Sequence, residues 1–160
     1  MKKLSVPMVV ALLFAILLAG TTLAAASARK PLPLKGSIEA RETYKVSGPT
    51  MFVTATGSGE ATHLGRYTVT YEVQVDLPSG TGTGLSAQYV AANGDSLFAE
   101  GSGQATPTEE PSVFVVIETY TITGGTGRFA GATGSFTETR QVNIETGVTS
   151  GTIRGNIILP

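Results

Sequence analysis

Two glutamates interrupt apolar faces of segments that alternate like β-strands, and both could do chemistry. Ile38, Ala40, Tyr44 and Val46 share a face with Glu42, while Glu39, Arg41, Thr43 and Lys45 point the other way. Phe114, Val116, Tyr120 and Ile122 likewise share a face with Glu118. A carboxylate on a buried face is costly unless it is paired, hydrogen-bonded or protonated. Arg140, on the Phe136/Val142 face with Glu138, is the candidate partner. The chemistry open to Glu42, Glu118 and Arg140 is to orient a ligand or to transfer a proton. The plainer reading weighs more: the glutamates lie near the barrel ends, or pair with the arginine for structure alone. Tyr44, Tyr71 and Tyr120 with Glu118 are the candidates to line a ligand site. Paired inward glutamates could also serve glycoside hydrolysis, but few aromatic residues are available to hold a sugar ring.

Other chemistries find less support. His63 is the only histidine and cysteine is absent, so a metal site is not expected. The place of His63 before Leu64-Gly65 suggests a turn residue rather than a general base. No Gly-x-Ser-x-Gly elbow presents a serine nucleophile. Gly125-x-Gly127-x-x-Ala130 matches a dinucleotide fingerprint by letter, with Glu145 twenty residues on. That fingerprint requires a helix N-terminus directly after the loop. Here Thr133, Ser135, Thr137 and Thr139 alternate, which predicts a strand. No cofactor is expected.

The elements that must position these residues are strands. Arg66 to Leu77 alternates strictly, with Tyr67, Val69, Tyr71, Val73, Val75 and Leu77 on one face. Further strands are predicted near residues 37–46, 51–56, 84–91, 95–105, 113–123, 132–143 and 148–159. Asn93-Gly94 is a hairpin signal. Gly57-Ser58-Gly59, the run Gly80 to Gly84 and Glu145-Thr146-Gly147 are read as the other turns, and Pro107 and Pro111 bracket a longer loop. Eight short strands without crossover helices predict an all-β, eight-stranded antiparallel up-and-down β-barrel, in which closure removes the exposed edges. A two-sheet sandwich fits the same pattern less economically.

The run Ile122-Thr-Gly-Gly-Thr-Gly-Arg-Phe-Ala-Gly-Ala-Thr-Gly-Ser-Phe136 resembles the glycine-rich hairpin of dirigent proteins and the wider allene oxide cyclase-like barrel group, including secreted bacterial members. Gly57 to Val69 is similar to a turn-and-strand signature of those members. The resemblance implies an eight-stranded barrel with a partly apolar cavity. The group's activities are cyclisation of an unstable epoxide and stereochemical steering of radical coupling. The catalytic residues of neither plant family map onto this chain, so neither activity is carried over. Dirigent-like barrels often form trimers, so the resemblance adds a homo-oligomer, although no unpaired apolar stripe supplies an interface.

The chain ends and composition set the remaining bounds. Lys2 and Lys3, the apolar run Val6 to Leu18 and the small residues Ala24 to Ala28 read as a secretory signal peptide over 1–28. Cleavage is expected between Ala26 and Ala28, with Ala28 preferred. A leader over 29–36 and one barrel domain over 37–160 follow. The apolar run is too short for a comfortable span of about 20 residues, so no stable membrane span is expected after cleavage. The thin spread of aromatics and the absence of Trp argue against an outer-membrane barrel. The mature chain is mildly acidic with scattered basic residues, which disfavours nucleic acid. Lacking both cysteine and a glycosylation sequon, it reads as a bacterial secreted or periplasmic protein. The expected function is to bind a small apolar ligand in the lumen without catalysis. The alternatives are a dirigent- or cyclase-like isomerase or steering protein, and an extracellular structural or interaction module.

Overall fold

The computed structural model describes residues 29–160; the proposed signal peptide at 1–28 lies outside the described residues. Eight antiparallel strands follow one another around a closed barrel in sequence order: β1 (Leu32–Ser47), β2 (Thr50–Ala61), β3 (Gly65–Asp76), β4 (Thr81–Ala91), β5 (Ser96–Pro107), β6 (Val113–Gly125), β7 (Thr133–Asn143) and β8 (Val148–Ile158). Every strand pairs with its chain neighbours and β1 pairs with β8. The sheet therefore has no edge. The predicted barrel is thus the observed architecture, with alternation deciding its two faces. In β3, Tyr67, Val69, Tyr71 and Val73 are buried in the lumen while Thr68, Thr70, Glu72 and Gln74 are exposed.

Three predicted boundaries are corrected. Residues 32–36 are not a leader: they form the start of β1, with Leu32 opposite Ile157 and Gly36 opposite Ile153. Thr62 fastens this stretch, bonding Lys35 N–H and the Pro33 and Lys35 carbonyls. Gly57-Ser58-Gly59 is not a turn but the interior of β2, which turns only at Thr62 to Leu64. A Cβ on Gly59 would come within 2.5 Å of the Tyr67 hydroxyl, so glycine there makes room for an inward ring. The run Gly80 to Gly84 is only partly a turn, because β4 begins at Thr81 and carries a bulge between Gly82 and Leu85.

The glycine stretch after β6 forms a single 3-10 turn, Gly127–Phe129, and then enters β7. No helix N-terminus follows it, so the dinucleotide reading has no structural basis. Phe129 is fully buried beneath the turn. Together with Leu34, Leu64, Leu97, Ile153 and Ile157 it plugs this end of the barrel. Above the plug lies an aromatic layer. The Tyr120 and Phe136 rings stack at 4.7 Å, and Tyr89 meets Tyr67 and Phe136 edge-on at 5.4 and 5.8 Å.

If residues 32–36 are strand rather than leader, deleting residues 1–31 should leave the barrel's unfolding midpoint intact. Deleting residues 1–36 should remove the buried Leu34 and open the edge of β8, costing at least about 3 kcal/mol. Denaturant titration of the two deletions checks this; equal midpoints would contradict the strand assignment.

Candidate functional site

Above the aromatic layer the lumen turns polar. Five strands bring inward polar side chains to one level: Glu42 from β1, Tyr71 from β3, Glu118 from β6, Glu138 and Arg140 from β7, and Thr149 from β8. All four ionisable residues are buried, with 7 % of Glu42, 2 % of Glu118, 0 % of Glu138 and 4 % of Arg140 exposed. The glycines opposite them make this crowding possible. Gly151 faces Arg140 across the β7–β8 ladder, and an added Cβ there would sit 2.5 Å from the arginine Cβ.

Arg140 is the hub. Its Nε donates to Glu118 Oε2 at 3.1 Å and its Nη2 to Glu118 Oε1 at 2.9 Å, a bidentate fork. Its Nη1 donates to Glu42 Oε1 and, at 3.1 Å, to the Thr149 hydroxyl. The guanidinium also lies 5.1 Å from the Tyr71 ring centre. Tyrosines satisfy the carboxylates further. Tyr71 donates to Glu42 Oε1 at 2.6 Å, Tyr44 to Glu42 Oε2 at 2.9 Å, and Tyr120 to Glu118 Oε2 at 3.2 Å.

Burial alone would lower the Arg140 pKa. The carboxylate of Glu118 and its hydrogen bonds, with Tyr71 and Glu42, outweigh burial and hold it well above the usual arginine value. Burial raises the Tyr71 and Tyr44 hydroxyls, with the adjacent Glu42 adding to the effect, so both remain donors.

Glu138 is the exception. It stands directly opposite Glu118 in the β6–β7 register, a like-charge pair on one face. Its Oε1 lies 3.5 Å from Arg140 Nε, but that N–H is given to Glu118, and Oε1 has no hydrogen-bond partner. Its Oε2 receives only a 3.4 Å contact from Tyr89. Burial, then the Glu118 charge, pushes its pKa up to about 8, with Arg140 and Tyr89 opposing. The proximity of Arg140 therefore does not make Glu138 an ion-pair partner; it is the carboxylic acid of the cluster.

The polar layer is the floor of a cavity of about 340 Å³ that opens at the end carrying the β1–β2, β3–β4, β5–β6 and β7–β8 loops. Glu42, Tyr44, Glu118 and Arg140 lie at its base; Met51, Val53, Val73, Val75, Val116 and Val142 form apolar walls. Leu77 and Ile144, both substantially exposed, stand at its rim. A larger trough of about 740 Å³ lies along the outside of β1–β6, lined by Thr54, Thr56, Thr70, Glu72 and Gln88. It is shallow and contains none of the buried charges.

All the candidate residues Glu42, Glu118, Arg140, Tyr44, Tyr71 and Tyr120 thus fall on the lumen face, and Glu42 and Glu118 share Arg140. Tyr120 sits one layer deeper and reaches the floor only through its hydroxyl. Tyr71 lies beneath Glu42 and does not line the cavity. His63 occupies the exposed β2–β3 turn at φ 68°, away from the cluster. Glu138 and Thr149 complete the cluster without having been singled out. The signal for Glu138 is its parity with Arg140, and that for Thr149 its parity with the inward Ile153 and Ile157 of the last strand. No protein-family model, curated protein or solved structure matches this chain.

Two outcomes follow from the cluster. Between pH 4.5 and about 8 the folded chain keeps the Glu138 proton that the unfolded chain has released. Stability should therefore fall by a few kcal/mol as pH rises through that window, then level off. Glu138→Gln should flatten this fall in denaturant titrations across pH, and parallel curves for both proteins would contradict it. Arg140→Met should cost about 3–5 kcal/mol by leaving two buried carboxylates unpaired. The triple variant E42Q/E118Q/R140M should recover much of that loss; no recovery would mean the ion pairs are not its source.

Proposed function

We propose that this chain is a secreted barrel that binds a small, largely apolar molecule in the open half of its lumen and does no chemistry on it. The observation that carries this reading is the cavity of about 340 Å³ with apolar walls over a buried polar floor, the usual build of a small-molecule site. Its exposed apolar rim continues the walls outward. The residues best suited to catalysis are already engaged. Glu42 and Glu118 are tied to Arg140, and Glu138, whose pKa is pushed up to about 8, is fully buried and outside the cavity wall. A general acid or base must reach its substrate within hydrogen-bonding distance or through one water.

The second reading is a steering or isomerising role of the dirigent or cyclase kind. It draws on the same geometry, since Glu42, Glu118 and Arg140 form a rigid polar base against which a reactive ligand could be oriented. Recovery of bound ligands chemically unchanged after prolonged incubation supports the binding reading over this one.

A neutral apolar fluorophore such as N-phenyl-1-naphthylamine should bind with enhanced emission and one site per chain. Ala105 lines the cavity near the rim. Ala105→Trp should abolish this binding without lowering the unfolding midpoint, and undiminished binding to that variant would remove the lumen as the site.

A further inference from the structure

The cavity floor has more negative than positive charge and more acceptors than donors to offer. From this we infer that the lumen selects an amphiphile with a cationic, hydrogen-bond-donating head, a primary ammonium on a compact apolar body, over one with an anionic head. The inference rests on the lumen-binding reading above and adds the chemistry of the ligand.

The donor and acceptor positions can be followed atom by atom. A carboxylate oxygen accepts about two hydrogen bonds. Glu42 Oε1 is filled by Arg140 and Tyr71, and Glu118 Oε2 by Arg140 and Tyr120. Glu42 Oε2 receives only Tyr44, and Glu118 Oε1 only Arg140 Nη2. Each of these two oxygens can take a further donor. Both residues line the cavity, and their side chains are only 4 % and 3 % exposed. The donors, by contrast, are nearly spent, with one Arg140 Nη2 hydrogen left over. Arg140 commits its Nε, both Nη1 hydrogens and one Nη2 hydrogen within the cluster, and Tyr44 points its hydroxyl at Glu42.

Charge leads the same way. Two carboxylates against one guanidinium leave the floor net negative, and ionisation of Glu138 behind it would only deepen the imbalance. An anionic head would be desolvated against a like field with little donor capacity in return. An ammonium brings three donors to a site with two carboxylate oxygens to fill and one N–H to spare. The mouth extends this bias. Asp76, Glu109, Glu110 and Glu145 stand on or beside the mouth loops against Arg41 and Lys45. Lys35, Arg66, Arg128 and Arg154 lie toward the plugged end instead, where Glu60 and Asp95 offset only part of their charge. Such an axial asymmetry draws cations toward the open mouth. At about 30 Å³ per water-sized group, the cavity accommodates roughly eleven such groups.

The test is competition against the bound fluorophore by decylammonium, decanol and decanoate at pH 7, three ligands that differ only in the head. The expected order is ammonium, then alcohol, then carboxylate, with about tenfold in Kd at each step. Ammonium binding should be lost in Ala105→Trp. If decanoate binds as tightly as decylammonium, or if ammonium binding survives in Ala105→Trp, the inference is overturned while the lumen-binding reading stands on its own fluorophore result. If none of the three competes and the fluorophore does not bind, the lumen-binding reading falls and this inference falls with it.

Discussion

The guanidinium of Arg140 lies buried within the lumen, largely withdrawn from bulk water, and the rest of the structure is arranged around that fact. A buried cation must have its partners supplied in place, since the loss of hydration costs several kcal/mol per ion. The partners come from around the ring: Glu42 on β1, Glu118 on β6 and Thr149 on β8. Because β1 and β8 meet at the closure of the barrel, the arginine ties together the first, sixth, seventh and last strands. One side chain therefore links the burial of charge to the closure of the sheet. Small residues must stand opposite large ones for this to fit, and Gly151 across from Arg140 is the clearest case.

Two different halves result. Below the cluster, the stacked rings and the aliphatic plug fill the lumen as a conventional core. Above it, the walls continue as valines and methionine around open space. A charged layer across the middle cannot be covered by apolar side chains without stranding its spare oxygens, so the cavity lies on the side where that layer is reached. The proposed ligand site is in this sense a consequence of how the buried charges are satisfied.

Much of the site was legible from parity alone. Glu42, Glu118 and Arg140 lie in strand stretches free of bulges, so alternation assigned their faces correctly. What was not legible depends on contacts between distant strands. Gly57 and Gly59 read locally as a turn, but they lie opposite Ala40 and Tyr67, where only glycine fits between inward side chains. Leu32 to Gly36 contains a proline and looks like a leader, yet β8 needs a partner there to close the ring. Glu138 had visible parity but no visible pairing. Its standing as the protonated member comes first from complete burial, then from the register that sets it against Glu118, with the nearest arginine N–H already given away.

Arg140 and its carboxylates divide a packed lower lumen from an open upper one. Methyl NMR of the isotope-labelled protein during titration with a neutral apolar fluorophore tests it most directly. Shifts and intermolecular contacts are expected at Val53, Val73, Val75 and Val142, with Leu97, Ile153 and Ile157 unmoved. Contacts at the plugged end, or shifts spread evenly along the barrel, would contradict it.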